Sequence, residues 1–281
     1  MSNYILKILE YQAIDGVKTQ IRESNSNLGD ALYLNDSLRL KATGREVILH
    51  NIHSKDLWEE PVICPGIPKK AWQSANRILL TTNTEEYHAW GFLGPAIIID
   101  LDAGTIIKEI RGRQGKPLSN GMFIVGLEGY DAFDSWLYNQ NGEIVQTWRS
   151  YGHYVIDQSN NIRVIEQDRT NPTQSHVVNL RMDGSIEKGE KLITSSASEP
   201  VLTLENDIIF ENSGVIRVIN SDLKEIARYP LLDIPGDKDW LFTSNLKLIG
   251  KNHLLINIFE RSEGKSSPIT YRTHQWLMKL K

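Results

Sequence analysis

The chain alternates short apolar runs with polar turn residues, and five of those turns share an asparagine. Asn76 precedes Ile78 to Leu80, Asn120 precedes Met122 to Val125, and Asn161, Asn206 and Asn252 stand before similar runs. By difference of those numbers the intervals are 44, 41, 45 and 46 residues. A degenerate copy, Asn35 and Asp36 before Leu38 and Leu40, lies about one period upstream. A second pattern keeps phase with the first. Ile97 to Ile99 precede Asp102-Ala103-Gly104, Trp136 to Tyr138 precede Asn141-Gly142, Val177-Val178 precede Asp183-Gly184, and Val215-Ile216 precede Ser221-Asp222. Short runs rich in β-branched and aromatic residues favour strands. Asn-Gly and Asp-Gly turns adopt backbone angles that join antiparallel neighbours with the correct twist.

Each period therefore predicts strand, turn, strand, loop, strand, turn, strand. The fourth copy reads Tyr154 to Ile156, a turn at Asn160 and Asn161, Ile162 to Ile165, then His176 to Leu180, Asp183-Gly184, and Ile186 to Ile193. The six anchors divide the chain into units at about 31–66, 67–113, 114–151, 152–195, 196–234 and 235–281. The last unit runs out after its third strand, Gln275 to Leu280. The free apolar run Tyr4 to Leu9 is expected to supply the missing fourth strand, leaving residues 1–30 as closing strand and connection. Val17 to Ile21, after the turn Asp15-Gly16, is a candidate extra edge strand.

Units of this period with four strands apiece resemble those of the β-propeller superfamily. The stretch Tyr154-Val155-Ile156-Asp157 through Asn161-Ile162-Arg163-Val164 is similar to the loose apolar, Asp, Asn, apolar pattern of several propeller families. The Gly-His and Trp-Asp pairs of WD40 repeats and the double glycines of kelch repeats are absent from the blade positions. Ile99 to Thr105 faintly resembles a quinoprotein repeat but lacks its tryptophan. The resemblance implies a single all-β domain: a six-bladed β-propeller with four antiparallel strands per blade, its ring closed by the N-terminal strand pairing in the last blade. It implies no activity.

Composition narrows the classes further. With 40% hydrophobic and 23% charged residues and a net charge of -4, the chain reads as a soluble globular unit. The single cysteine, Cys64, excludes an intrachain disulfide and suits a reducing compartment. Lys7 interrupts the N-terminal apolar run, and no segment approaches ~18 consecutive apolar residues. The expectation is a cytoplasmic protein with no membrane partner. The negative balance and the lack of a basic run disfavour nucleic acid, Arg111, Arg113 and Lys116 reading as a solvated connection. Lys247, Lys251, Lys265, Arg272, Lys279 and Lys281 make the sixth unit basic, either as a second contact zone or as a counterweight to acids elsewhere.

Candidate chemistry concentrates in loops between second and third strands, which emerge at one end of each blade. In the second unit that loop holds Glu85, Glu86, Tyr87, His88 and Trp90; in the third, Glu128, Tyr130, Asp131, Asp134 and Trp136. Acids mixed with aromatics give large contact area with charge selectivity. Glu166, Asp168, Glu211, Glu260 and Glu263 fall near the same strand ends. Together they suggest a partner-binding rim for another protein, a basic one, although solvation alone also accounts for charged residues at strand ends. One concrete form is an intracellular inhibitor, such as a toxin-neutralising immunity protein.

The alternative is a metal-dependent hydrolase or lyase at a channel mouth. His50 and His53 offer two ligands without an implied third. Glu128, Glu166, Glu211 and Glu260 lie 8, 5, 5 and 8 residues past their anchors, a mixed parity that argues against one convergent cage. A sugar sensor stacking on Trp90, Tyr130 and Trp136 ranks last. No nucleophile, phosphate-loop or Cys-x-x-Cys motif occurs. The expectation is a protein binder with no catalytic residue, metal or cofactor.

Overall fold

The computed structural model describes residues 6–15, 32–53, 55–83, 86–88, 91–126, 134–149, 153–167, 170–171, 174–193, 198–212, 214–231, 240–262 and 271–280. Among them every regular element is a strand. The first is β1 (Leu6–Asp15). Blade one holds β2 (Leu32–Tyr33), β3 (Leu38–Thr43), β4 (Glu46–Asn51) and β5 (Val62–Ile63). Blade two holds β6 (Pro68–Ser74), β7 (Arg77–Thr82), β10 (Pro95–Asp100) and β11 (Ile106–Arg111), with β8 (Glu86–His88) and β9 (Gly91–Leu93) between its second and third strands. Blade three is β12 (Gln114–Pro117), β13 (Phe123–Gly126), β14 (Asp134–Tyr138) and β15 (Ile144–Arg149). Blade four is β16 (His153–Ile156), β17 (Ile162–Gln167), β18 (Gln174–Leu180) and β19 (Ile186–Ile193). Blade five is β20 (Val201–Leu202), β21 (Ile208–Asn212), β22 (Val215–Ile219) and β23 (Glu225–Pro230). Blade six joins β24 (Trp240–Ile249), β25 (His253–Ser262) and β26 (Tyr271–Leu280) to β1.

Six four-stranded antiparallel sheets with this order make the fold an all-β, six-bladed β-propeller. The expected N-terminal strand is present but longer than Tyr4 to Leu9, since β1 continues to Asp15, opposite Arg272. Val17 to Ile21 lies outside the described residues. Contacts divide the chain into two compact units. One comprises Arg22–Tyr151 and Gln158–Asn160; the other comprises Met1–Ile21, Gly152–Asp157 and Asn161–Lys281. In the first, β2 lies beside β6 and β6 beside β12; in the second, β16 lies beside β20 and β20 beside β24.

The asparagine period marks the turn between first and second strands, where Asn206 alone of the five anchors takes the left-handed conformation itself and in the other blades a neighbour does. Left-handed backbone falls in this turn at Ala75, Gly121, Asn160, Asn206 and Gly250. Asparagine tolerates that region and bonds its own backbone, as Asn35 Oδ1 does by accepting from the amides of Ser37 and Leu38 at 2.8 and 3.0 Å. The same turns bolt blades together. The Ser74 hydroxyl donates to the Leu118 carbonyl and accepts from the Gly121 amide at 2.8 Å, while Arg77 pairs with Asp100 at 2.8 Å and donates to the Gln140 carbonyl at 3.0 Å.

The turn between third and fourth strands repeats as well. Gly142 and Gly184 take φ of 75° and 83°, each donating its amide to the residue three back. Beyond the turn the fourth strand carries one extra residue: Ile107, Val145 and Ile226 in blades two, three and five, and Leu9 in blade six. Such bulges sharpen twist and interrupt the open edge. In blade five the left-handed position is Leu223, with φ 61° and 3% exposure. A leucine there costs ~1 to 2 kcal/mol of backbone strain. Its burial with Val155, Ile165, Val177, Leu192, Ile208, Phe210 and Ile219 returns ~2 to 3 kcal/mol, so burial wins.

Gly189 of blade four is the counterpart surface. A Cβ there would lie 2.5 Å from the Leu223 Cβ and 2.6 Å from its carbonyl oxygen. Gly189→Ala is expected to lower the unfolding free energy by ~1 to 3 kcal/mol through overpacking, and Leu223→Ala by ~2 to 4 kcal/mol through a cavity, both read in equilibrium unfolding as lower denaturant midpoints with unchanged m-values.

Candidate interaction surface

The second-to-third connection of blade two contains a hairpin rather than the open loop expected. β8 pairs with β9 in the register Glu86 to Leu93, Tyr87 to Phe92 and His88 to Gly91. The cue in sequence was the strand-favouring pair Tyr87 and Phe92, which this register makes cross-strand partners. Glu86, Tyr87 and His88 are thus brought onto one strand. Glu85 and Trp90 lie outside the described residues, as do Glu128, Tyr130, Asp131 and Asp168. Asp134 opens β14, directly opposite Arg149.

Register sets acids near these strand ends opposite basic residues of their own sheet. Glu166 ends 3.3 Å from Lys188 Nζ, without hydrogen-bond alignment, and is opposite His176 on β18. Glu260 is opposite Arg272 in blade six. Glu211 is turned inward, 7% exposed, where its carboxylate accepts from the Gly214 amide at 2.6 Å and its backbone amide donates to Ser198 Oγ at 2.9 Å. It staples the β21–β22 turn and does not belong to an open rim.

His50 does not pair with His53 as a ligand set. Its Nδ1 lies 2.8 Å from Asp56 Oδ1, the same oxygen that Lys41 Nζ reaches at 3.0 Å. Those two partners, Lys41 first, hold the Asp56 carboxyl below its ordinary value. His53 is exposed in the following turn. Among the described residues no group of three or more His, Cys, Asp or Glu is arranged to hold a metal ion.

Blade six was under-read in sequence. β25 continues four residues past Ile258, the residue equivalent to Asn212 at the end of β21 when the two strands are aligned from Leu254 and Ile208. At ~3.3 Å per residue the extension is roughly 13 Å, at the end of the blade that carries the second-to-third connection. No Gly, Pro or Asp interrupts His253 to Ser262, and that run was the legible cue, although Asn257 stands within it. Trp72 lies inside β6 and Trp240 at the start of β24, while Trp136, Trp148 and Trp276 are in strands.

No family model and no curated protein matches the chain. Solved structures do. The Pan2 WD40 domain of Neurospora crassa is 13% identical, with 89% of this chain and 74% of that one covered at a TM-score of 0.48. The N-terminal domain of Nup159 is 12% identical over 95% and 79%, with a TM-score of 0.42. A protein from Lactobacillus plantarum is 10% identical over 95% and 81%, with a TM-score of 0.47. At such identities these are likenesses of architecture alone. No helix among the described residues is long and apolar enough to cross a membrane.

Cys64 is fully buried, and burial pushes its thiol up to about 12 from 9.0, Arg45 opposing weakly. The neutral thiol therefore dominates at all ordinary pH values. Folded protein at pH ~8 is expected to resist an aromatic disulfide reagent, and denatured protein to release one equivalent of chromophore.

Proposed function

We propose that the chain is a non-enzymatic, protein-binding propeller whose partner sits on the blade ends that carry the second-to-third-strand connections. The observation that supports this most is the β8–β9 hairpin, where Glu86, Tyr87 and His88 share one ordered strand. A contact loop already folded as a hairpin loses less conformational freedom on binding than an open loop. Tyr87 and Phe92 oppose each other in register, and aromatics of this kind carry interface energy with few rotatable bonds. The proposed contact set also includes Glu85, Trp90, Glu128, Tyr130, Asp131, Asp134, Glu166 and Asp168.

The partner favoured by these residues is basic. With Glu166 close to Lys188, and Asp134 and Glu260 in register with Arg149 and Arg272, selectivity for a basic partner falls chiefly to Glu85, Glu86, Glu128 and Asp131. An inhibitor covering a basic active site, as a toxin-neutralising immunity protein does, is the form this chemistry suits best. The expected cellular setting is the cytoplasm.

Quantitative affinity capture from the source cells tests the reading with three baits: the unaltered chain, a Glu86→Lys/Tyr87→Ala/His88→Ala hairpin variant, and an Asp183→Ala/Ser185→Ala variant at the other end of blade four. A basic protein held at near-equal amounts by the first and third baits, lost from the second and released by ~0.5 M salt, is the expected outcome. Identical capture by all three baits would remove the hairpin from the binding surface.

A further inference from the structure

Blade six carries an arrangement that sheets ordinarily avoid. Lys7 on β1 is directly opposite Lys279 on β26, and Lys279 is directly opposite His253 on β25. The row continues to Ile249 on β24, which is 45% exposed. Residues directly opposite share a sheet face, so two lysine ammonium groups and an imidazole project from one side of three adjacent strands. Lys247 stands in the next row of that face, opposite Leu255, and the exposed Lys251 occupies the turn between β24 and β25. Glu10, opposite Leu277, lies one row further along β1. Among the described residues no ion pair involves Lys7, Lys279, Lys247 or Lys251.

Like charges directly opposite on neighbouring strands destabilise a sheet. A locally unfavourable arrangement kept in an otherwise consistent fold marks a functional position. We infer that this basic row is a second contact surface, which takes an acidic peptide segment of a partner protein. It is remote in its blade from the extended end, beside the turn at Gly250 to Asn252, and it does not depend on the hairpin reading.

Peptide is favoured over nucleic acid on two counts. Three strands ~4.8 Å apart span only ~10 Å, enough for one or two phosphates and far from the six to ten contacts of a typical duplex binder. Cations here alternate with the half-buried Leu255 and Leu277 and the exposed Ile249, which suit a chain carrying apolar side chains between acids. The net charge of -4 adds repulsion against a long polyanion.

Two readouts test the inference on the full chain. Binding of a short poly-glutamate peptide is expected in the micromolar range at low salt, weakened by added salt and reduced about tenfold or more by Lys7→Glu/Lys279→Glu. Thermal unfolding of the unliganded Lys7→Glu variant is expected ~1 to 3 °C above the unaltered chain at low ionic strength, because a repulsive pair becomes attractive. The milder Lys7→Gln and Lys279→Gln variants carry both tests if the reversal fails to fold. No peptide binding up to ~1 mM, binding unaffected by these substitutions, tighter binding of an oligonucleotide of equal charge, or a lower melting temperature for Lys7→Gln would each overturn it.

Discussion

The pairing of β1 with β26 is the constraint on which blade six depends. Without it the last sheet would have three strands and an exposed edge along Tyr271–Leu280. The partners are distant in sequence: Tyr11 Oη lies 3.1 Å from His274 Nδ1 across 263 positions. Closing a loop of that size costs ~5 kcal/mol in chain entropy before any contact repays it. Repayment comes from pairing along Leu6 to Asp15 on both sides of the Leu9 bulge, from the packing of Ile8 against the Trp276 and Met278 cluster, and from the stack of Tyr11, His274 and Trp276, whose ring centroids lie 5.1 to 6.3 Å apart. The same pairing sets Lys7 opposite Lys279, so the closure of the sheet and the proposed basic surface are one event.

Between the blades the core is aliphatic, with charge admitted at a few fixed points. Arg163 is 2% exposed and lies near Asp157 and Asp207, which oppose the burial that depresses its pKa. Arg217 meets Glu225 at 2.6 Å with both groups largely buried. Pairs of this kind contribute little net stability and become costly when one partner is removed; Arg163 with Asp207 links blades four and five, and Arg217 with Glu225 links two strands of blade five. The bulges and left-handed turns do similar work at blade ends. They let one backbone plan hold Gly142, Gly184 or Leu223 according to what the neighbouring blade offers.

Fold was far more legible than site. The in-phase turns at Gly104, Gly142 and Gly184, with Asn206 among the periodic asparagines, report backbone angles that few residues tolerate, and such angles leave a direct mark on composition. The closing strand was legible because blade six lacked a partner, but its length was hidden because Glu10 and Gln12 break the apolar run, while β26 pairs with it as far as Asp15 opposite Arg272. The β8–β9 hairpin went unread because each strand has only three residues and no Asn-Gly or Asp-Gly turn stands between them. Glu211 looked like a rim acid because sequence gives its position on a strand but not the Gly214 amide that captures it. The basic row of Lys7, Lys279 and His253 was invisible before register was known, since cross-strand neighbours are far apart in the chain.

The functional reading rests on a scaffold that presents its loops from paired, rigid sheets, and blade six is where that rigidity is most at risk. Hydrogen exchange followed by mass spectrometry on the peptide spanning β1 measures this directly. The account predicts that amides of Leu6 to Asp15 engaged with β26 are protected to the level of β25 and exchange with global unfolding. Exchange of that segment within seconds, beside a protected β25, would contradict it.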